Sequence, residues 1–206
     1  MTSIDAADLK RMFDAVAVAI EADKDRLCQL DGVIGDADHG IAMALGFGAV
    51  RDALAPLELT ATEPTVLLNT AAKSFLNAVG ASSGPLYATA FMRGAAAVKG
   101  KATLAGADVV ALFQGMAQGI QDRGKAEIGV RATARRAAAA AHAAGKTLSE
   151  SLAAALEAAE RGAEATKDMI AAKGRSSRLG ERSLGHIDPG AASAVTVIGA
   201  MRKSLA

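Results

Sequence analysis

Leu9, Met12, Phe13, Val16, Ile20 and Leu27 fall at helical spacing and predict an amphipathic helix over residues 5–27. A second helix is expected from about Asp38 to Ala53, with Asp38 in the N-cap position. Pro64 suits the first turn of a third, striped by Leu68, Ala71, Phe75 and Val79. Gly80 to Gly84 breaks that pattern, and a fourth helix is expected from about Pro85 to Val98. Val109, Leu112, Phe113, Met116 and Ile120 mark a fifth, after which Gly124 to Gly129 interrupts the chain again. The run Ala137 to Ala141 has high helix propensity and belongs to a sixth. Leu148, Leu152, Leu156, Ala159, Ala163, Thr166 and Ile170 predict a seventh. Asp188-Pro189 opens the last, with Val195, Ile198, Met201 and Leu205 facing inward, and no segment reads as a strand.

Short breaks between consecutive helices force neighbours to run antiparallel, so the pattern predicts an all-α, up-and-down assembly of eight helices. Alternating directions gather the loops after helices one, three, five and seven at one end. Those four are the chemically loaded ones: the segment around Asp31 to Gly40, Gly80 to Gly84, Gly124 to Gly129, and Gly174 to Asp188. Function is expected at that end.

Composition refines this picture. The 206 residues fit one domain, expected to span 1–206. Hydrophobic residues make up 51% but aromatics only 3%, so the core must be built largely from Ala, Leu, Val, Ile and Met. Such side chains favour closely packed helices. A net charge of +1 supplies no field to attract nucleic acid or an anionic membrane. The lone cysteine, Cys28, excludes an intramolecular disulfide and fits a reducing compartment. Its place in the apolar tail of the first helix favours a packed thiol over a nucleophile. Neither a secretory h-region nor an apolar run long enough to span a bilayer is present, so a cytoplasmic location is expected.

Asp31, Asp36 and Asp38 crowd into eight residues, among Gly32, Gly35 and Gly40. Hard divalent cations take oxygen ligands, and magnesium keeps positions for water and substrate phosphates, so the cluster points to a magnesium site serving a nucleotide. An Asp-rich turn followed by an N-cap is the other account. Gly80-Ala81-Ser82-Ser83-Gly84-Pro85 puts small residues and backbone N–H groups at a helix start, either as an anion site or as a plain Ser cap. His39 directly follows the last aspartate, where it suits a phosphate or simply the surface. His142 reads as structural, and His186 stays open. Arg175, Arg178 and Arg182 offer guanidinium forks to phosphates or are solvated loop charges. A second basic group, Arg123, Lys125, Arg131, Arg135 and Arg136, lacks interleaved aromatics and reads as a polar face rather than a single-strand binding surface. No P-loop or dinucleotide glycine motif is present.

Four separated segments together resemble one family. They are Ile34-Gly35-Asp36-Ala37-Asp38-His39-Gly40, Ser83-Gly84-Pro85-Leu86, Arg123-Gly124-Lys125-Ala126-Glu127 and Leu179 to Ala191, which includes Gly185-His186-Ile187-Asp188-Pro189-Gly190. In order and over most of the chain they are similar to the nucleotide-binding L subunit of dihydroxyacetone kinase. The resemblance implies a closed barrel of eight antiparallel helices holding ADP or ATP and two magnesium ions at one end. It places the metals on Asp31, Asp36 and Asp38. Nucleotide contacts are implied for His39, Gly40, Ile41, Ala42, Ser82, Ser83, Gly124, Thr133, Arg175, Asp188, Pro189 and Gly190.

The family also implies that a partner subunit holds the ketose while this chain presents the phosphoryl donor, with no catalytic base of its own. Dihydroxyacetone or a related short ketose is the expected acceptor. The donor is either exchangeable ATP or a retained ADP recharged by a phosphotransferase-system phosphocarrier. Two departures stand out. Gly129-Val130-Arg131-Ala132-Thr133 replaces the usual Gly-Asp-Lys-Thr-Met, which puts Thr133 where a methionine is expected near adenine. Ala42-Met43-Ala44 replaces Asn-x-Asn, removing one or two polar contacts of about 0.5–1.5 kcal/mol each. These departures motivate an alternative, a noncatalytic nucleotide-bound sensor that regulates a partner protein.

Overall fold

The computed structural model describes residues 3–80, 82–123, 130–144, 147–170 and 180–206. Eight α-helices order them: α1 Ala6–Ile34, α2 His39–Leu54, α3 Pro64–Ala78, α4 Ser83–Ala97, α5 Gly106–Arg123, α6 Val130–Ala144, α7 Leu148–Glu164 and α8 Pro189–Leu205. A single 3-10 turn, Ala165–Asp168, extends α7. Each helix packs on its neighbours in chain order, and α8 returns to α1, so the predicted barrel closes. The β-structure among the described residues is one isolated bridge, Ile4 with Leu104.

Boundaries follow local chemistry. Asp5 accepts a hydrogen bond from the Asp8 N–H at 2.9 Å while Asp8 accepts from the Asp5 N–H at 3.0 Å, a reciprocal capping box that starts α1. That helix runs a full two turns past the predicted end at residue 27. Leu27 and Ile34 are both buried and continue its apolar stripe, so tertiary packing overrides Gly32 as a breaker. Asp31 therefore lies in the last turn of α1 rather than in a loop. The fourth helix begins two residues earlier than expected, at Ser83, because Gly84 packs its Cα directly over the Val79 carbonyl, where any Cβ would overlap. The seventh ends as an α-helix at Glu164, short of the predicted Ile170, which is exposed. There the Thr166 hydroxyl turns back to donate to Ala163 O at 2.6 Å and tightens the last turn.

The core has two textures. Phe13, Phe47, Phe75, Tyr87 and Phe91, from α1 to α4, form one aromatic cluster with centroids 5.1–6.3 Å apart. On the opposite wall Ala137 and Ala141 of α6 meet Ala155 and Ala159 of α7 and Ile198 of α8. No helix among the described residues is long and apolar enough to cross a membrane.

Candidate functional site

The α1–α2 connection is only four residues, Gly35 to Asp38, and it is shaped around one carboxylate. From the last turn of α1, Asp31 Oδ2 accepts the backbone N–H groups of Asp38 at 3.0 Å and His39 at 3.3 Å. Asp31 thus caps α2 from the neighbouring helix. Asp38 occupies the N-cap position but makes no side-chain cap bond, so its carboxylate is not spent on the helix. The alternative of an ordinary aspartate cap is not what the residue does.

Gly35 and Ala37 set the bend. A Cβ at Gly35 would overlap Asp31 Oδ1 and lie 2.9 Å from the Asp31 carbonyl, so only glycine lets the carboxylate lie there. Ala37 has φ +62°, a left-handed conformation that costs an L-residue roughly 1–2 kcal/mol. This strained turn brings one carboxylate oxygen each from Asp31, Asp36 and Asp38 within 4.8 Å of one another. Three hard oxygen donors at that spacing fit a magnesium-type cation.

Other loops arrive at the same end. Asp188 caps α8, its Oδ1 accepting the Ala191 N–H at 2.7 Å, and its own N–H donates to Thr166 Oγ1 at 2.9 Å. Thr166 therefore joins the end of α7 to the start of α8. Gly185 N–H donates to Lys167 O at 2.8 Å and holds the approach to α8 onto that corner. His39 bridges to this side: its Nε2 lies 2.9 Å from Ser193 Oγ on α8, with Asp188 nearby. Burial holds the His39 pKa below the usual histidine range, against the opposing pull of Asp188 and Asp31. Burial likewise raises the Asp188 carboxyl, while the backbone N–H groups of Ala191 and Gly190 and the nearby His39 work to lower it. Tyr87, in the second turn of α4, is buried, and its hydroxyl lies near enough to Ser193 to feel it. Three helix N-termini, of α2, α4 and α8, therefore open on one end, and their N–H groups favour an anion there.

The predicted residues are placed unequally. Asp31, Asp36, Asp38, His39, Asp188, Pro189 and Gly190 share this corner. Ser82 is exposed at the start of α4 without a side-chain cap bond, and Ser83 follows as its first residue. Gly40 is buried against α1, over the Lys24 carbonyl, Ile41 is about half exposed, and Ala42 packs against the core. Thr133 is fully buried, its Oγ1 against Gly162 of α7 and without a hydrogen-bond partner among the described residues. Gly124 and Arg175 lie outside the described residues, as do Arg178, Lys125 and the Val130 and Arg131 side chains. Arg182 and His186 are exposed. Three participants were not predicted for the site: Thr166 reads as one more member of an apolar stripe, Ser193 as a small residue in an Ala-rich helix, and Tyr87 as core. Only Tyr87 carried a signal, being a polar-tipped ring in an apolar helix.

Comparison with known proteins follows the same residues. The model of the DAK2 domain matches residues 33–203. The ADP-binding subunit DhaL of PEP-dependent dihydroxyacetone kinase 2 from Listeria innocua serovar 6a is 32% identical over 98% of this chain and 96% of its own length. The ADP-binding subunit DhaL of the PEP-dependent kinase from Escherichia coli K12 is 36% identical over 81% of each. Among solved structures, the dihydroxyacetone kinase of C. freundii superposes with a TM-score of 0.76 at 22% identity, covering 99% of this chain. The chain spans about a third of that larger kinase, 36% of it, so the likeness speaks for the fold. A domain model over most of the chain, full-length relatives above 30% identity and a shared helical barrel agree: the chain belongs to the DAK2 domain family, among the ADP-binding DhaL subunits of dihydroxyacetone kinase.

Proposed function

We propose that this chain is the nucleotide-bearing subunit of a dihydroxyacetone-type kinase, presenting a phosphoryl donor to a short ketose held by a separate partner subunit. The observation that carries the reading is the convergence of Asp31, Asp36 and Asp38 within 4.8 Å, beside His39. In this reading the whole of residues 1–206 is one nucleotide-binding domain working in the cytoplasm.

Asp31, Asp36 and Asp38 would hold two magnesium ions, which when bound supply charge neutralisation for the phosphates of ADP or ATP. The chain's own groups do the rest. The N-termini of α2, α4 and α8 offer N–H groups to anionic oxygens, with Ser82 and Ser83 adding hydroxyls at the second. Asp188, Pro189 and Gly190 shape the third, while His39, Gly40, Ile41 and Ala42 line the first turn of α2. Gly124, Thr133 and Arg175 complete the proposed nucleotide set. Phosphoryl transfer suits a chain without a base, because its catalysis is mostly positioning and electrostatics.

The PEP- and PTS-dependent relatives favour a retained ADP recharged by a phosphocarrier over exchangeable ATP. Native mass spectrometry of the purified chain tests this: retained ADP is expected, and an empty chain that turns over ATP with the partner would overturn it. Calorimetry with ADP tests the metal set. Magnesium-dependent affinity should collapse in Asp36→Asn, and unchanged affinity would remove the basis for the assignment.

Ala42 and Ala44 pack against the core and present no polar group to a phosphate, which favours keeping one second reading, the nucleotide-bound sensor. That reading wins if the chain and its ketose-binding partner turn over no short ketose with either donor while ADP still binds.

A further inference from the structure

Ser193 is completely buried on the inner face of α8, and two groups reach its hydroxyl. His39 Nε2 of α2 lies 2.9 Å away and the Gly190 carbonyl oxygen 3.0 Å away. One side chain thus ties the starts of α2 and α8 together. The hydrogens can be assigned by counting.

A serine hydroxyl has one hydrogen to give and two lone pairs to offer. The Gly190 carbonyl can only accept, so satisfying both contacts sends the Ser193 hydrogen to Gly190. His39 Nε2–H must then donate to Ser193. The reverse assignment, with Ser193 donating to Nε2, forfeits the Gly190 bond. Leaving buried polar groups short of partners is what folded proteins avoid.

We propose that Ser193 is a positioning residue for His39, fixing its ring with the proton on Nε2 and leaving Nδ1 as the acceptor for a ligand. Nδ1 has no hydrogen-bond partner among the described residues. A neutral ring held this way takes a group that carries a proton, such as a ribose hydroxyl or a metal-bound water, and not an unprotonated phosphate oxygen. The inference rests on the proposed nucleotide site only for the identity of that ligand. Ser193 itself acts through His39 and touches no substrate.

The test reads the tautomer directly. Two-bond proton–nitrogen correlation spectra of the histidine-labelled chain, assigned with a His39→Gln sample, should show His39 in the Nε2–H form. Ser193→Ala should shift it to a tautomer mixture and weaken ADP binding in magnesium by about three- to tenfold. Ser193→Thr, which keeps the hydroxyl, should restore both. An Nδ1–H tautomer in the wild type, or Ser193→Ala with unchanged tautomer and affinity, overturns the proposal. Should the wild type bind no ADP, the nucleotide reading fails while the tautomer spectra still decide the positioning role.

Discussion

The wall made by α1 to α4 and the wall made by α6 and α7 solve the same packing problem with opposite materials. The first interlocks five aromatic rings, one or two from each helix, mostly edge to face. The second brings alanine methyl groups together, and α6, α7 and α8 contain no aromatic residue at all. Buried aromatic rings remove 150–250 Å² each from water, several times what an alanine methyl removes. The aspartate turn hangs from the aromatic wall, between α1 and α2. The Thr166–Asp188 corner hangs from the alanine wall. The difference teaches that a carboxylate cluster needing fixed geometry is anchored where packing is strongest, while the opposite rim rests on thinner contacts.

Deleting the ring at the centre of the first wall should give the largest effect. Phe47 meets Phe75, Tyr87 and Phe91, and is fully buried. Phe47→Ala should cost about 3–5 kcal/mol in denaturant melts. Ala159→Gly, the matching deletion in the second wall, should cost only about 1 kcal/mol. Equal costs for the two would break the comparison.

Tyr87 sharpens it through pH. Burial raises its pKa from 10.0 to about 12, with the nearby Ser193 hydroxyl lowering it in part. The folded state therefore holds a proton that the unfolded state has lost between those values. Stability is undiminished below pH 10 and falls as pH rises toward 12, by about 2–3 kcal/mol in all. Because this is the single tyrosine, its absorbance titration and an alkaline stability curve report one group. Tyr87→Phe should flatten the curve, and a Tyr87 that titrates near its ordinary value would contradict the burial.

Much of this was legible in the sequence, and the exceptions are instructive. Eight helices, their order and the meeting of the α1–α2 connection with the starts of α4 and α8 at one end follow from apolar spacing and short breaks. The aspartates were visible as a cluster, but not that Asp31 sits inside α1, because Gly32 reads as a breaker until Ile34 is seen buried beyond it. The Ser193–His39 contact joins residues 154 positions apart, and no periodicity encodes such a pairing. Thr166 was hidden for another reason. Its place in a regular stripe describes its methyl group, whereas its hydroxyl makes the joint to Asp188.

Gly35→Ala should separate the site from the wall that carries it. The added methyl collides with Asp31 Oδ1, not with any ring, so the aromatic cluster is untouched. Magnesium-dependent ADP affinity should fall roughly tenfold, the equivalent of about 1.4 kcal/mol, with a much smaller loss of stability than Phe47→Ala produces. A loss of stability comparable with Phe47→Ala would show that the turn is part of the wall's structure.

Ala37→Gly asks the finest question, whether the turn is held by its own strain or by the helices on either side. Glycine relieves the left-handed penalty of about 1–2 kcal/mol at φ +62°. It also gives the unfolded chain more freedom, which costs about 0.4–1 kcal/mol, so the melting curves should nearly coincide. Affinity behaves differently. Ala37 has its methyl over Gly32, where a Cβ would stand 3.2 Å from it, and that contact helps hold Asp36 and Asp38 toward Asp31. Glycine lets the turn sample other shapes, which the ligand must then reverse, so magnesium-dependent ADP binding should weaken roughly two- to fivefold at nearly constant stability. Calorimetry and melts on the same sample measure both. Unweakened binding would mean that α1 and α2, fixed by the aromatic wall, define the aspartate geometry without help from the residue between them.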